Sequence, residues 1–185
     1  MKNIYYTSFF GLFSIMFFGI SFTLFFFQLA INFISTSGML EPLKGVMPEK
    51  DIRILLFIGI LFVLFSLLSA LKVLGQTIWE MGLLFFSKDE EGKALLDTKK
   101  ISYLFIIGGL ISVPLNSSIL LSVSVLGATF IAYLIYFLIK QSKSFSVVGM
   151  FGFVLFQVIV WGSIGSGIAY IYFTLASTYL KNMPF

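Results

Sequence analysis

Residues 54–71 read ILLFIGILFVLFSLLSAL, with Arg53 before them and Lys72 after. A charge-free apolar run of roughly 18 or more residues is long enough to cross the hydrocarbon core of a bilayer as a helix. Longer neutral blocks lie on either side. Residues 3–40 and 101–139 carry no charge, and residues 141–180 carry only Lys143. The composition agrees: 59% of the 185 residues are hydrophobic, 24 are Phe, and 11% are charged, against roughly 25% charge in a soluble domain. So few charged side chains cannot cover this much apolar surface in water. The chain is therefore an all-α, polytopic transmembrane bundle forming a single domain over residues 1–185, with lipid as its solvent.

The composition also excludes chemistry. There is no Cys and no His, which removes disulfides, thiol catalysis, haem ligation by His, nearly all zinc sites and Ser-His-Asp triads. The net charge of +4 comes from lysines placed between apolar blocks, with Arg53 the one arginine. That pattern encodes membrane topology, and it lacks the aromatic-interleaved basic run of a nucleic-acid binder. No enzyme activity, cofactor, metal site or nucleic-acid partner is expected.

About five spans are expected, at residues 7–33, 52–71, 101–115, 119–139 and 145–175. Lys2 before the first apolar run could suggest a signal peptide, but the run is too long and no small-residue cleavage site follows. Pro48, Glu49 and Asp51 mark the start of the second span, since acidic groups favour a helix N-terminus. The block 101–139 would make one helix of about 58 Å, so Pro114, Asn116, Ser117 and Ser118 are assigned to a turn within it. Asn116-Ser117-Ser118 matches a glycosylation acceptor and is read as turn chemistry. Residues 145–175 are read as one long helix, with a break at Gly162–Gly167, giving six spans, as the alternative. Lysine counting places seven basic residues on the side of the N-terminus and four opposite, which puts the N-terminus in the cytoplasm of a cell-membrane protein.

Beyond Ala70 the pattern changes. Lys72, Gln76 and Glu80 recur at helical spacing opposite Leu74, Ile78 and Met81, giving an amphipathic segment over 72–86. It is expected to run past the bilayer or to bend at Gly75 and lie in the interface. Lys72, Gln76, Glu80 and Gln157 are the candidate polar or ion site, because an ionisable group within a membrane is functional by default. The bland reading is a lysine reaching for headgroups and a Trp79 in the aromatic belt. Residues 87–93 are densely charged but fit neither an EF-hand nor a P-loop, and are read as a solvated loop. In the last helix Gly162/Ser166, Ser163/Gly167 and Gly165/Ala169 repeat a small-xxx-small spacing, a candidate helix-packing seam. It is expected to pack inside the bundle, with another membrane protein or a second copy as the alternative partner.

Met1-Lys2-Asn3, Ser69-Ala70-Leu71-Lys72, Leu83 to Asp89 followed by Glu91-Gly92, and the terminal Met183-Pro184 carry a resemblance over nearly the whole length. The chain resembles the YufK-like family of small uncharacterised membrane proteins of Gram-positive, spore-forming bacteria. The resemblance implies a bacterial plasma membrane and no assigned activity. Two functional classes compete: an accessory or regulatory subunit acting through helix contacts, and a small transporter or substrate-capturing component. The second requires a polar pocket, for which Gln28, Asn32, Asn116 and Gln157 are the available neutral groups. A cavity reaching Lys72 or Gln157 would favour capture; a dry bundle would favour the accessory role.

Overall fold

The computed structural model describes residues 6–181, with side chains over 9–177. It is all helical: α1 (Tyr6–Thr36), α2 (Leu40–Lys44), α3 (Glu49–Phe86), α4 (Lys93–Ile101), α5 (Tyr103–Ser112), α6 (Ile119–Lys140) and α7 (Val147–Lys181). Four of them, α1, α3, α6 and α7, are long and apolar enough to cross a membrane. Their outward side chains are mostly apolar, as in Phe62, Leu84, Val147 and Phe151, all more than 70% exposed. Lipid is the solvent that such a surface suits.

α3 begins after Pro48 with Glu49 and Asp51 in its first turn, where carboxylates complement the helix dipole. It then continues unbroken for 38 residues, about 57 Å. The segment 72–86 is therefore continuous with the apolar part of α3, with no break in the helix at Gly75. A Cβ at Gly75 would sit 3.3 Å from the Trp161 ring, so the glycine is where α7 approaches α3.

The span expected at 101–115 is the main departure. Helix is lost at Ser112, and α5 has only 10 residues, about 15 Å, half a hydrocarbon core. It is preceded by the polar α4, joined through Ser102 in near-helical geometry (φ −56, ψ −12). Together α4 and α5 lie antiparallel beside α6. Gln141 Nε2 donates to Asp97 Oδ2 at 2.8 Å near one end of this hairpin, and Gly108 packs on Thr129 along it. At the other end is the turn read from the sequence: Asn116 Nδ2 donates to Val113 O at 2.7 Å, and Ser118 Oγ caps α6 by accepting from Leu120 N at 3.2 Å. α7 is continuous through Gly162–Gly167, so the final block is one helix.

The end of the bundle carrying α4 is called proximal below. There Trp79 packs against Tyr133, Phe137 and Phe153 with centroids 4.8–5.0 Å apart, and Phe145 closes the cluster on Phe153. A short ladder ties α3 to the start of α7: Ser87 bridges Phe145 and Lys88 N donates to Ser144 O at 2.8 Å. At the opposite, distal end, α1 and α3 pair through Phe27 and Phe57. Between these ends, Ser21, Ser112 and Ser122 form a buried hydroxyl cluster, with Ser21 Oγ 2.7 Å and 3.2 Å from the other two. It joins α1, α5 and α6, and satisfies polar groups that lipid could not.

Candidate functional site

α3 turns Lys72, Gln76 and Glu80 onto one face because four residues advance a helix by just over a turn. That face borders a half-open cavity of about 630 Å³ lined by α1, α3, the α4–α5 junction, α6 and Trp161 of α7. Ligand pockets run from roughly 300 to 1,000 Å³. Most of the lining is apolar, as in Phe18, Leu68, Leu126 and Phe130; the polar part comes from Lys72, Gln76 and Glu80 together with Lys99, Thr98 and Ser102.

The cavity is a half-open cleft between the helices, with Lys72, Gln76 and Lys99 exposed along it. Trp79 is fixed against Tyr133 and Phe137 of α6, and Lys72 is seven residues, about 10 Å, further along α3. Lys72 is thus level with the middle of α6. Its amine lies against the backbone of α1 where Gly11 leaves room: a Cβ at Gly11 would come within 2.6 Å of Lys72 Cε.

Charge and hydrogen bonding in the cavity are unbalanced. Gln76 Nε2 donates to Glu80 Oε1 at 2.8 Å, so the one lining carboxylate already has a partner. Lys72 and Lys99 form no ion pair among the described residues. Trp79 is 4% exposed, and its Nε1 has no acceptor. Buried donors are nearly always paired, so the site carries a surplus of donors and positive charge over acceptors.

Gln157 is placed apart from the other three candidates. It is 2% exposed and accepts from Trp161 Nε1 at 3.2 Å, which orients the ring lining the cavity. Its Nε2 has no partner; it faces Gly82, where a Cβ would lie 3.3 Å away. Gln28 and Asn32 are exposed on α1 outside the cavity lining, and Asn116 serves the turn. Sequence reasoning missed Gly11, Thr98, Lys99 and Ser102. Lys99 sits among loop charges in sequence, and nothing local marks it as facing α3.

The small-residue seam is uncovered. A Cβ at Gly162, Gly165 or Gly167 would meet no atom within 4 Å, and Ser163 and Ser166 between them are exposed. The packing inside the bundle expected of Gly162, Ser163, Gly165, Ser166 and Gly167 is therefore not what the fold uses. Trp161 meets Phe130 of α6, and just past that level the glycine positions of α7 face open space. In the charged loop, Asp89 accepts from Ala94 N and caps α4. No cluster of acidic residues suited to a metal occurs among the described residues.

A model described as a family of unknown function, DUF5366, matches residues 27–184. The chain is 29% identical over 184 residues to the uncharacterised membrane protein YufK of Bacillus subtilis (strain 168), covering 100% of both chains. No solved structure matches.

Proposed function

The chain belongs to this family of unknown function, and from that premise we propose that it is a membrane component that captures a small molecule in the cavity between α1, α3, α6 and the α4–α5 junction. The observation that carries the reading is a cavity of about 630 Å³ whose apolar walls converge on Lys72, Gln76 and Glu80 of one helix face. A few placed polar groups in a mostly apolar pocket are the usual form of a ligand site. Catalysis receives no support: a single partnered carboxylate offers neither an acid–base pair nor a nucleophile with its base.

Gly127 provides the test. It lines the cavity, and a Cβ there meets nothing within 4 Å, so Gly127→Leu fills the space without disturbing the packing around it. Native mass spectrometry of protein extracted into nanodiscs is expected to show a co-purifying small molecule on the wild type and its loss from Gly127→Leu, with thermal stability retained. An unliganded wild type that no metabolite or lipid extract stabilises would count against capture.

A second reading, an accessory subunit acting through helix contacts, is supported by the uncovered face carrying Gly162, Ser163, Ser166 and Gly167. Crosslinking from Ser163→Cys in native membranes tests it, on a background with no cysteine of its own; a strictly monomeric, partner-free species would remove it. For orientation, the loop 87–92, α4 and the α6–α7 link share the proximal end, so Lys88, Lys93, Lys99, Lys100, Lys140 and Lys143 lie toward one side and Lys44, Lys50 and Arg53 toward the other. The positive-inside rule then places the proximal end in the cytoplasm of the cell membrane. Single cysteines at Lys88 and Lys44, labelled with an impermeant maleimide, report the two sides.

A further inference from the structure

We infer that the cavity takes an anionic amphiphile of one chain, with its carboxylate or phosphate head held between Lys72 and Lys99 and its apolar chain along Phe18, Leu126 and Phe130. The inference rests on the capture reading and deepens it. Three observations carry it. First, the cavity is lined by two lysines without an ion pair and by one carboxylate already held by Gln76. Lys72 and Lys99 are both exposed at the cavity, where an anion would give them a partner and a cationic or neutral guest would not. Second, Trp79 lines the cavity and its buried Nε1–H has no acceptor among the described residues, so the site is short of acceptors, which an oxyanion carries. Third, the remaining walls are apolar, as in Phe18, Leu126 and Phe130, and suit a hydrocarbon chain.

Size decides the number of chains. About 630 Å³ corresponds to roughly twenty groups the size of a water at about 30 Å³ each. That matches one acyl chain of common length with its head group. A free fatty acid and a single-chain phosphate share this chemistry; the two chains of a diacyl phospholipid exceed this volume.

The protein contains its own reporter. It has two tryptophans, Trp79 and Trp161, and both line the cavity. Bromine quenches indole fluorescence on contact. Full-length protein in zwitterionic nanodiscs is titrated at mildly alkaline pH with 9,10-dibromostearate, with its uncharged methyl ester, and with a brominated diacyl phosphatidylglycerol. The expected result is saturable quenching by the carboxylate, at least tenfold weaker affinity for the ester, and no saturable phase with the diacyl lipid. Lys72→Gln and Lys99→Gln are each expected to weaken the carboxylate several-fold and leave the ester unchanged, while Lys72→Arg restores affinity. Gly11→Ala, which keeps the charge but displaces the amine, is expected to weaken the carboxylate as well. Equal affinity for acid and ester, or lysine variants without effect, overturns the assignment of an anionic head while leaving capture standing. A diacyl lipid that binds as tightly as the fatty acid overturns the single chain. Absence of saturable quenching by any probe, together with no small molecule on the purified wild type, overturns the capture reading itself.

Discussion

Glycine positions in this chain separate into two kinds that look alike in sequence. At Gly108 a Cβ would fall within 2.9 Å of Thr129 Cβ, and at Gly109 within 2.8 Å of Phe17 Cβ. These sites let α5 lie directly against α6 and α1. At Gly165 the surrounding space is open. Gly108→Ala is expected to destabilise the protein by about 1–3 kcal/mol, as overpacking does. Gly165→Ala is expected to be neutral or to stabilise by up to about 1 kcal/mol through helix propensity. Thermal unfolding in detergent, comparing the two variants with wild type, checks both. The serine cluster gives a second residue-scale prediction. Ser21→Ala leaves the buried Ser112 and Ser122 hydroxyls and the Ser112 carbonyl without their shared partner and is expected to cost about 1–3 kcal/mol. At this scale the α3 stripe was legible because its i, i+4, i+8 spacing is local. Lys99 and the three serines were not, since each becomes meaningful only through a partner from a distant helix.

Among the elements, α4 shows how a polar helix completes an apolar bundle. Asp97 accepts from Lys100 Nζ at 2.7 Å and from Gln141 Nε2 at 2.8 Å, which ties α4 to the end of α6. The hydrogen bond from Lys100 holds the Asp97 carboxyl below its ordinary range, against the smaller opposing effect of partial burial. A depressed folded-state pKa contributes stability that is present above the unfolded value, roughly 3.9, and is lost as pH falls through the folded value. Unfolding midpoints measured from pH 6 downward are therefore expected to fall in the wild type below about pH 4, with a shallower fall in Asp97→Asn. At the other end of the hairpin, Ser118→Ala removes the cap of α6 and is expected to cost about 1 kcal/mol. The turn was legible from Pro114 and its polar neighbours. The half-length of α5 was not: the apolar run continues past Ser112, and Pro114 with the capping bonds, which hydropathy does not register, decides where the helix stops.

Taken whole, the molecule is a bundle of unequal rods. α1, α3 and α7 have 31, 38 and 35 residues and α6 has 22, or about 46, 57, 52 and 33 Å, against a hydrocarbon core of about 30 Å. The apolar exterior was legible in the composition, and this difference in reach was not, because it depends on where the helices meet. Long apolar rods tilt or thicken their bilayer at a modest cost per ångström. Thermal stability in liposomes is therefore expected to rise as acyl chains lengthen from 14 to 22 carbons; a flat response would mean that tilt alone absorbs the excess.

The attachment of α7 has a mechanical meaning. Its grip on the rest of the chain runs from the Phe145 bridge to Trp161, which touches both Gly75 of α3 and Phe130 of α6 at the wall of the cavity. Beyond that point a straight helix extends for about 30 Å with no neighbour at Gly162, Gly165 or Gly167. Any tilt of α7 about Trp161, at the wall of the cavity, would therefore be enlarged along this unsupported length: about 10° of rotation would sweep the far tip through about 5 Å.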